Sequence, residues 1–290
     1  MRLGLHALGI GSGAKRDVID SVAKAAEQHG FSTLWSGEHV VMVDRSASRY
    51  PYSDDGQIAV PSEADWLDPM IGLSFVAAAT STIEIATGVL LLPEHNPVVV
   101  AKQAASLDRL SGGRFTLGIG VGWSRDEFDA LGVPFERRAA RTAEYVAAMR
   151  TLWRDDVASF VGEFVGFDSV RVNPKPLRDG RIPIVLGGNS DAALRRVAEW
   201  GDGWYGFNVE GTEAVAQHVA KIRKSCDERG RDAKDLRLAV ALRDPQRSDV
   251  DELAGLGVDE LVLVAGPPEH AVDVADWVGG LATRWLPAVS

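Results

Sequence analysis

A (β/α)8 barrel is the fold this sequence predicts, on three observations. Short apolar runs recur along the 290 residues, amphipathic helical patterns alternate with them, and no linker-like shift in composition divides the chain. Eight strands, each followed by a helix, favour closure over two separate domains, so residues 1–290 read as one barrel domain.

The series begins with "RLGLHAL", a helix over 14–30 that stops at Gly30, and "FSTLWS". It continues with "TIEIATGVLLL", a helix over 97–110, "RFTLGIG" and a helix over 136–153. Then come "IPIVLGG", a helix over 190–200, "DGWYGF" and a helix over roughly 211–229. "LRLAVAL", a short helical stretch near 248–256, "ELVLVAG" and a last helix over about 268–283 close it. Asn96 and Pro97 supply an N-cap and an N1 proline, and "SGG" at 111–113 supplies a stop.

Two excursions exceed ordinary loop length and are read as insertions, one after strand 2 and one before strand 5. Residues 39–68 are polar and turn-rich with scattered aromatics, among them Tyr50, Tyr52 and Trp66, which suits a lid over the barrel mouth. Residues 155–182 alternate like a small hairpin.

Composition narrows the function. A net charge of -10 and a pI near 5.1, with no basic block, argue against nucleic acid, whose phosphates need clustered cations. No apolar run reaches the ~20 residues that span a bilayer, so no membrane role is expected. The lone Cys226 cannot form an internal disulfide, and the chain is expected in a reducing cytoplasm. The six histidines show no i, i+4 pair and no H-E-x-x-H pattern, so no metal site is expected. No G-x-S-x-G nucleophile elbow occurs either.

"GIGSGA", residues 9–14, satisfies a dinucleotide fingerprint between a strand and a helix. It stands alone after a poor buried strand, and the acidic residue at the end of the next strand, Glu38, follows late. The preferred reading is that Gly9, Gly11 and Gly13 let the first βα loop turn and lie low at the mouth.

In a barrel, catalytic groups gather at the carboxyl ends of the strands. The second strand ends in Glu38 and His39, the third in Glu94 and His95. His39 is the candidate proton carrier, since imidazole titrates near neutrality; His95 equally suits the turn that caps the next helix. Gly187, Gly188, Asn189 and Ser190 place a glycine pair ahead of a helix start, where free N–H groups and the helix dipole favour a phosphate. Gly118, Gly120 and Gly122 alternate at the end of an apolar run, and Gly88 interrupts another between Thr87 and Val89. Bare backbone at two such strand ends suits close approach of a planar cofactor.

Residues 87–132, from "TGVLLLPEHNP" to "SGGRFTLGIGVGWSRDEFDALG", resemble the luciferase-like monooxygenase superfamily, especially its branch using the deazaflavin coenzyme F420. "GFSTLWSGEHV" and "IPIVLGGNSDAALRRVAEWGDGW" extend the resemblance over nearly the whole chain. It implies a TIM barrel, often homodimeric, with a flavin or deazaflavin at its carboxyl-terminal mouth. His39 matches the group that faces the ring, and Glu38 is its neighbour. Thr87, Gly88 and Val89 match a bulge behind the ring, where many members carry a non-prolyl cis peptide. Gly120 and Gly122 match the loop beside the cofactor side chain, and Gly187, Gly188, Asn189 and Ser190 the phosphate-binding turn. Glu127 matches an acidic residue that orders the loop.

The expected activity is hydride transfer between F420 and a small organic substrate. The alternatives are an FMN-dependent monooxygenase supplied by a flavin reductase, and a non-catalytic cofactor-binding protein.

Overall fold

Polar and small residues alternate with apolar ones in "RLGLHAL", and that period of two decides how the barrel is filled. In β1 (Arg2–Leu8) the buried Leu3, Leu5 and Ala7 pack in the layer beneath the helices, whereas Gly4 and His6 face the interior, against Trp35 and Tyr205. A computed structural model describes residues 1–289.

The parallel strands follow as β2 (Thr33–Ser36), the broken pair β3 (Glu84–Thr87) and β4 (Leu90–Leu91), and β5 (Phe115–Gly120). After an antiparallel hairpin of β6 (Ala158–Val161) and β7 (Gly166–Val170) come β8 (Ile184–Gly187), β9 (Gly203–Val209), β10 (Arg237–Leu242) and β11 (Glu260–Val264). β1 pairs with β2 and β11, and β3 pairs with β5, so the sheet closes. The fold is the expected (β/α)8 TIM barrel, with the hairpin inside the second insertion.

The surrounding helices are α1 (Arg16–His29), α2 (Pro69–Ala79), α3 (Pro97–Leu110), α4 (Arg125–Ala130) and α5 (Arg138–Arg154). α6 (Asp191–Trp200), α7 (Thr212–Asp227), α8 (Asp249–Gly255) and α9 (Val274–Val289) complete the ring. Caps fall where the side chains demand: Asn96 accepts from the N–H groups of Val98 and Val99, and Gly30 ends α1 at φ 84°. Among the described residues no helix is long and apolar enough to cross a membrane.

Four elements depart from the sequence reading. α2 carries no periodic signal in the sequence, because "PMIGLSFVAAA" is apolar or small almost all round and shows no helical stripe. α4 is a short extra helix started by Ser124, whose hydroxyl accepts from the N–H of Glu127. The third strand is interrupted by a cis peptide bond between Gly88 and Val89. The last helix starts at Val274 rather than near 268, after the prolines at 267 and 268, and runs on to Val289.

Two layers fill the lower barrel. At the amino-terminal end Arg237 pairs with Glu84 at 2.7 Å and Glu260 at 2.8 Å, and Arg2 pairs with Glu84 at 2.9 Å. A Cβ on Gly4 would stand 2.8 Å from a Glu260 oxygen, so a bare residue makes room for this ion layer. Above it Trp35 and Tyr205 stack at 4.5 Å, which closes the floor of the mouth. Such a pair adds about 0.5–1.5 kcal/mol beyond its buried area.

Candidate active site

The first βα loop is a dock for the lid, not a nucleotide site. Gly9 and Gly11 take positive φ, a Cβ on Gly13 would lie 2.5 Å from the carbonyl of Ala7, and the loop turns back on itself. Its backbone then holds the insertion: the N–H of Gly11 donates to Asp65 and the N–H of Leu67 to Gly9. The Trp66 indole donates to the carbonyl of Gly37, which brings that aromatic edge-on to His39 at 4.8 Å between centroids.

His39 itself is fixed by α4. The buried carboxylate of Glu127 accepts from His39 Nδ1 at 2.8 Å, from the N–H of Val40 at 2.8 Å and from that of Val41 at 3.3 Å. This sets the proton on Nδ1 and leaves Nε2 as the ring's free acceptor. The adjoining Asp126 accepts from the hydroxyls of Ser46 and Ser48 and the N–H groups of Ala47 and Ser48. Two consecutive acids of one short helix thus anchor the root of the lid.

Glu38 is committed elsewhere. It accepts from the N–H of Leu91 at 2.6 Å and is bonded to His95 Nε2 at 3.0 Å, so His95 steadies the Glu38 side chain. Burial opposes it, but the hydrogen bond and charge of Glu38 raise the His95 pKa. Between these two carboxylates lies Glu94, with both oxygens buried and without a partner among the described residues. Burial first, then the charges of Glu127 and Glu38, push it up to about 9, so it stands as a neutral acid at pH 7.

The mouth has two connected compartments. The first, of about 850 Å³, lies between the barrel floor and the lid and is lined by Glu38, His39, Gly88 and Val89 among others. The second, of about 660 Å³, extends toward α6 and is lined by Gly120, Gly122, Asn189 and Ser190. Val89, Leu91, Trp123, Gly187 and Gly188 border both.

Thr87 borders neither compartment. It shares the outward parity of Ile85 rather than that of Ala86, is fully buried, and donates its hydroxyl to the carbonyl of Gly118. The other candidates border a compartment, with a particular division of labour among the glycines. A Cβ on Gly120 would come within 2.8 Å of the Val89 side chain, and one on Gly187 within 3.0 Å. Those two glycines make room for the bulge, while Gly88 rests on Trp35, Tyr205 and His6.

The second compartment is basic. Arg138 and Arg196 both line it, and neither pairs with a carboxylate among the described residues. Burial lowers both pKa values; for Arg196 the charge of Arg138 is the next cause. Arg196 Nε and Asn189 Oδ1 are buried without partners, beside the N-terminus of α6 that Ser190 caps. Crowded, unpaired cations at a helix start suit an anion such as a phosphate.

Sequence reasoning missed His6, Tyr205, Arg138 and Arg196. The alternation Arg2, Gly4, His6 in β1 carries the signal for His6, while arginines on helices look like ordinary solvated charge until the barrel closes.

Residues 5–278 match the luciferase-like monooxygenase family. The uncharacterized protein Rv0953c of Mycobacterium tuberculosis (strain H37Rv) is 34% identical over 265 residues, 91% of this chain and 92% of that one. Among solved structures, monooxygenase RslO1 from Streptomyces bottropensis superposes with a TM-score of 0.79 at 19% identity, covering all of both chains. Coenzyme F420 dependent tetrahydromethanopterin reductase from Methanopyrus kandleri does so with a TM-score of 0.76 at 17% identity, over 100% of this chain and 99% of that one. At these identities the two structures speak for the fold.

Proposed function

The chain belongs to the luciferase-like monooxygenase family, and we propose that within it this protein exchanges a hydride between coenzyme F420 and a small organic substrate in the barrel mouth. The observation that carries this reading is the joining of two unlike compartments. A largely apolar chamber under the lid adjoins a pocket with two arginines that lack a carboxylate partner and a helix N-terminus, which suits a planar ring carrying a side chain and a phosphate.

The residues present fit such a group. Arg138, Arg196 and the Gly188–Ser190 turn would hold the phosphate, Gly120 and Gly122 would flank the side chain, and the Gly88–Val89 bulge would back the ring. When bound, the deazaflavin supplies a two-electron hydride carrier.

The chain's own part is orientation, exclusion of water and proton handling. With Nδ1–H given to Glu127, His39 offers Nε2 to take a proton from a substrate oxygen or, once protonated there, to return it. Trp66 and Trp123, edge-on to the imidazole, and Tyr50 against Trp123 wall the site from bulk water. The supporting experiment measures turnover and cofactor affinity of His39→Ala separately. Slowed turnover with retained affinity is expected; lost affinity with normal turnover at saturation contradicts the proton role.

A second reading, oxygenation with reduced FMN, is favoured by the likeness to the FMNH2-dependent dimethylsulfone monooxygenase of Pseudomonas fluorescens, 37% identical over 149 residues, 50% of this chain and 40% of that one. Oxygen consumption on addition of reduced FMN distinguishes it from anaerobic hydride exchange with F420.

A further inference from the structure

The chamber floor holds a second imidazole that the proton chemistry of His39 does not use. His6 is 8% exposed and borders the first compartment, next to Gly88 and Gly37, where an added Cβ would lie 3.4 Å from its ring. Its Nδ1 lies 2.8 Å from the hydroxyl of Tyr205, itself 1% exposed and stacked on Trp35.

The direction of that bond follows from satisfaction of the hydroxyl. Among the described residues His6 is the only hydrogen-bond partner of the Tyr205 oxygen, so a bond donated by Nδ1 would strand the tyrosine proton in a buried site. Tyr205 therefore donates to Nδ1, and the ring proton sits on Nε2. His6 and His39 thus carry opposite tautomers, the first turning an N–H toward the chamber and the second a bare nitrogen.

The groups packed around His6 do not compensate a charge on it. On β9 they are Tyr205 and Phe207; after β2, Glu38 is spent on Leu91 and His95; at the end of β11 and just beyond it Val264 and Ala265 are uncharged, and the N–H of Ala265 donates to the His6 carbonyl. Burial accordingly lowers the His6 pKa to about 4.

We infer that His6 Nε2–H is the donor that holds an acceptor oxygen of a neutral substrate, a ketone or aldehyde with an apolar remainder. The inference rests on the hydride-exchange reading above and names its substrate class. A fixed neutral imidazole polarises a carbonyl without giving up its proton, so hydride addition at carbon is balanced by a proton that His39 first takes from water at Nε2 and then passes to the oxygen, returning to the neutral ring. Apolar side chains such as Ile10, Ile58, Val60 and Phe207 line the remaining wall.

The test uses the whole protein labelled with 15N-histidine, with resonances assigned through the backbone, and long-range 1H–15N spectra. Cyclohexanone and methylcyclohexane are the probes, each added with and without F420 or FMN. The expected result is a neutral Nε2–H ring from pH 7 down to 5.5, an Nε2 shift with cyclohexanone only, and loss of the single tautomer in Tyr205→Phe. Affinity for cyclohexanone should fall about tenfold in His6→Phe, as for one hydrogen bond. An Nδ1–H tautomer, an imidazolium at pH 5.5, or no response to cyclohexanone in either state overturns the inference. So does a shift produced by cofactor alone with no further change on adding ketone, which would assign the donor to a ring carbonyl. Cofactor absorbance read on the same samples separates the two readings: failure to bind F420 and FMN overturns the proposed function, while the tautomer and the ketone response are still read.

Discussion

Glu84 and Glu94 are carboxyls at opposite ends of one barrel, and their surroundings shift them in opposite directions. At the amino-terminal end burial works against Glu84, but the hydrogen bond from Arg2 and the charges of Arg237 and Arg2 hold its pKa below the ordinary value. At the mouth Glu94 has no cation, only burial and two like charges, and rises to about 9. In the lower layer each carboxylate has a cation, although Arg237 Nε and Trp35 Nε1 lack hydrogen-bond partners, whereas in the mouth both Glu94 oxygens are without any partner and Arg196 is without a counter-ion among the described residues. One end holds the barrel together, and the other bears the cost of keeping groups available.

The largest expected effect breaks the paired end. Arg237→Ala leaves Glu260, which is fully buried, without its cation and should cost about 3–5 kcal/mol of stability by chemical denaturation. Cofactor affinity of the folded fraction should be unchanged. A mouth that fails together with the floor would erase the distinction between them.

The complementary change is His39→Ala. Turnover should fall about 100- to 10,000-fold, the range for a lost proton carrier, with the melting temperature close to that of wild type. A loss of stability comparable to that of Arg237→Ala would make His39 a packing residue.

Next in size is Arg196→Ala. Removing one unpaired cation from the second compartment should weaken cofactor binding about 10- to 100-fold, as for one charge-assisted hydrogen bond, with no loss of stability. Unchanged affinity would move the phosphate away from α6.

The smallest effect sharpens the comparison by pH. Unfolded Glu94 ionises above about 4.5 and the folded group only above about 9, so its burial costs nothing in acid and progressively more as pH rises through that window. Glu94→Gln should therefore gain on wild type progressively as pH rises from about 5 to 8, and nothing at pH 4. For Glu84 the sign reverses: its stabilisation is present above the unfolded pKa and fades as pH falls through the lowered folded value.

What could be read from the sequence follows the same division. Strand alternation, the Asn96–Pro97 helix start and the glycine stops are local signals, and they place the barrel and its mouth. α2 escaped because apolar residues on all sides erase periodicity, and α4 because six residues are too few to show it. The position of Thr87 is likewise set by strand parity, which directs its hydroxyl to the carbonyl of Gly118. Arg138, Arg196, His6 and Tyr205 meet their neighbours only when distant strands and helices are brought together, so no short stretch announces them.

The central claim, that the mouth holds a deazaflavin with its phosphate at α6, is tested most directly by calorimetric titration with F420 and FMN, oxidised and reduced. Wild type, Arg196→Ala and Arg237→Ala would be compared below the melting point of each. The account predicts tighter binding of F420 than FMN, weakened by Arg196→Ala and left intact by Arg237→Ala. Preference for FMN would transfer the site to oxygenation chemistry, and binding of neither by wild type would contradict the claim outright.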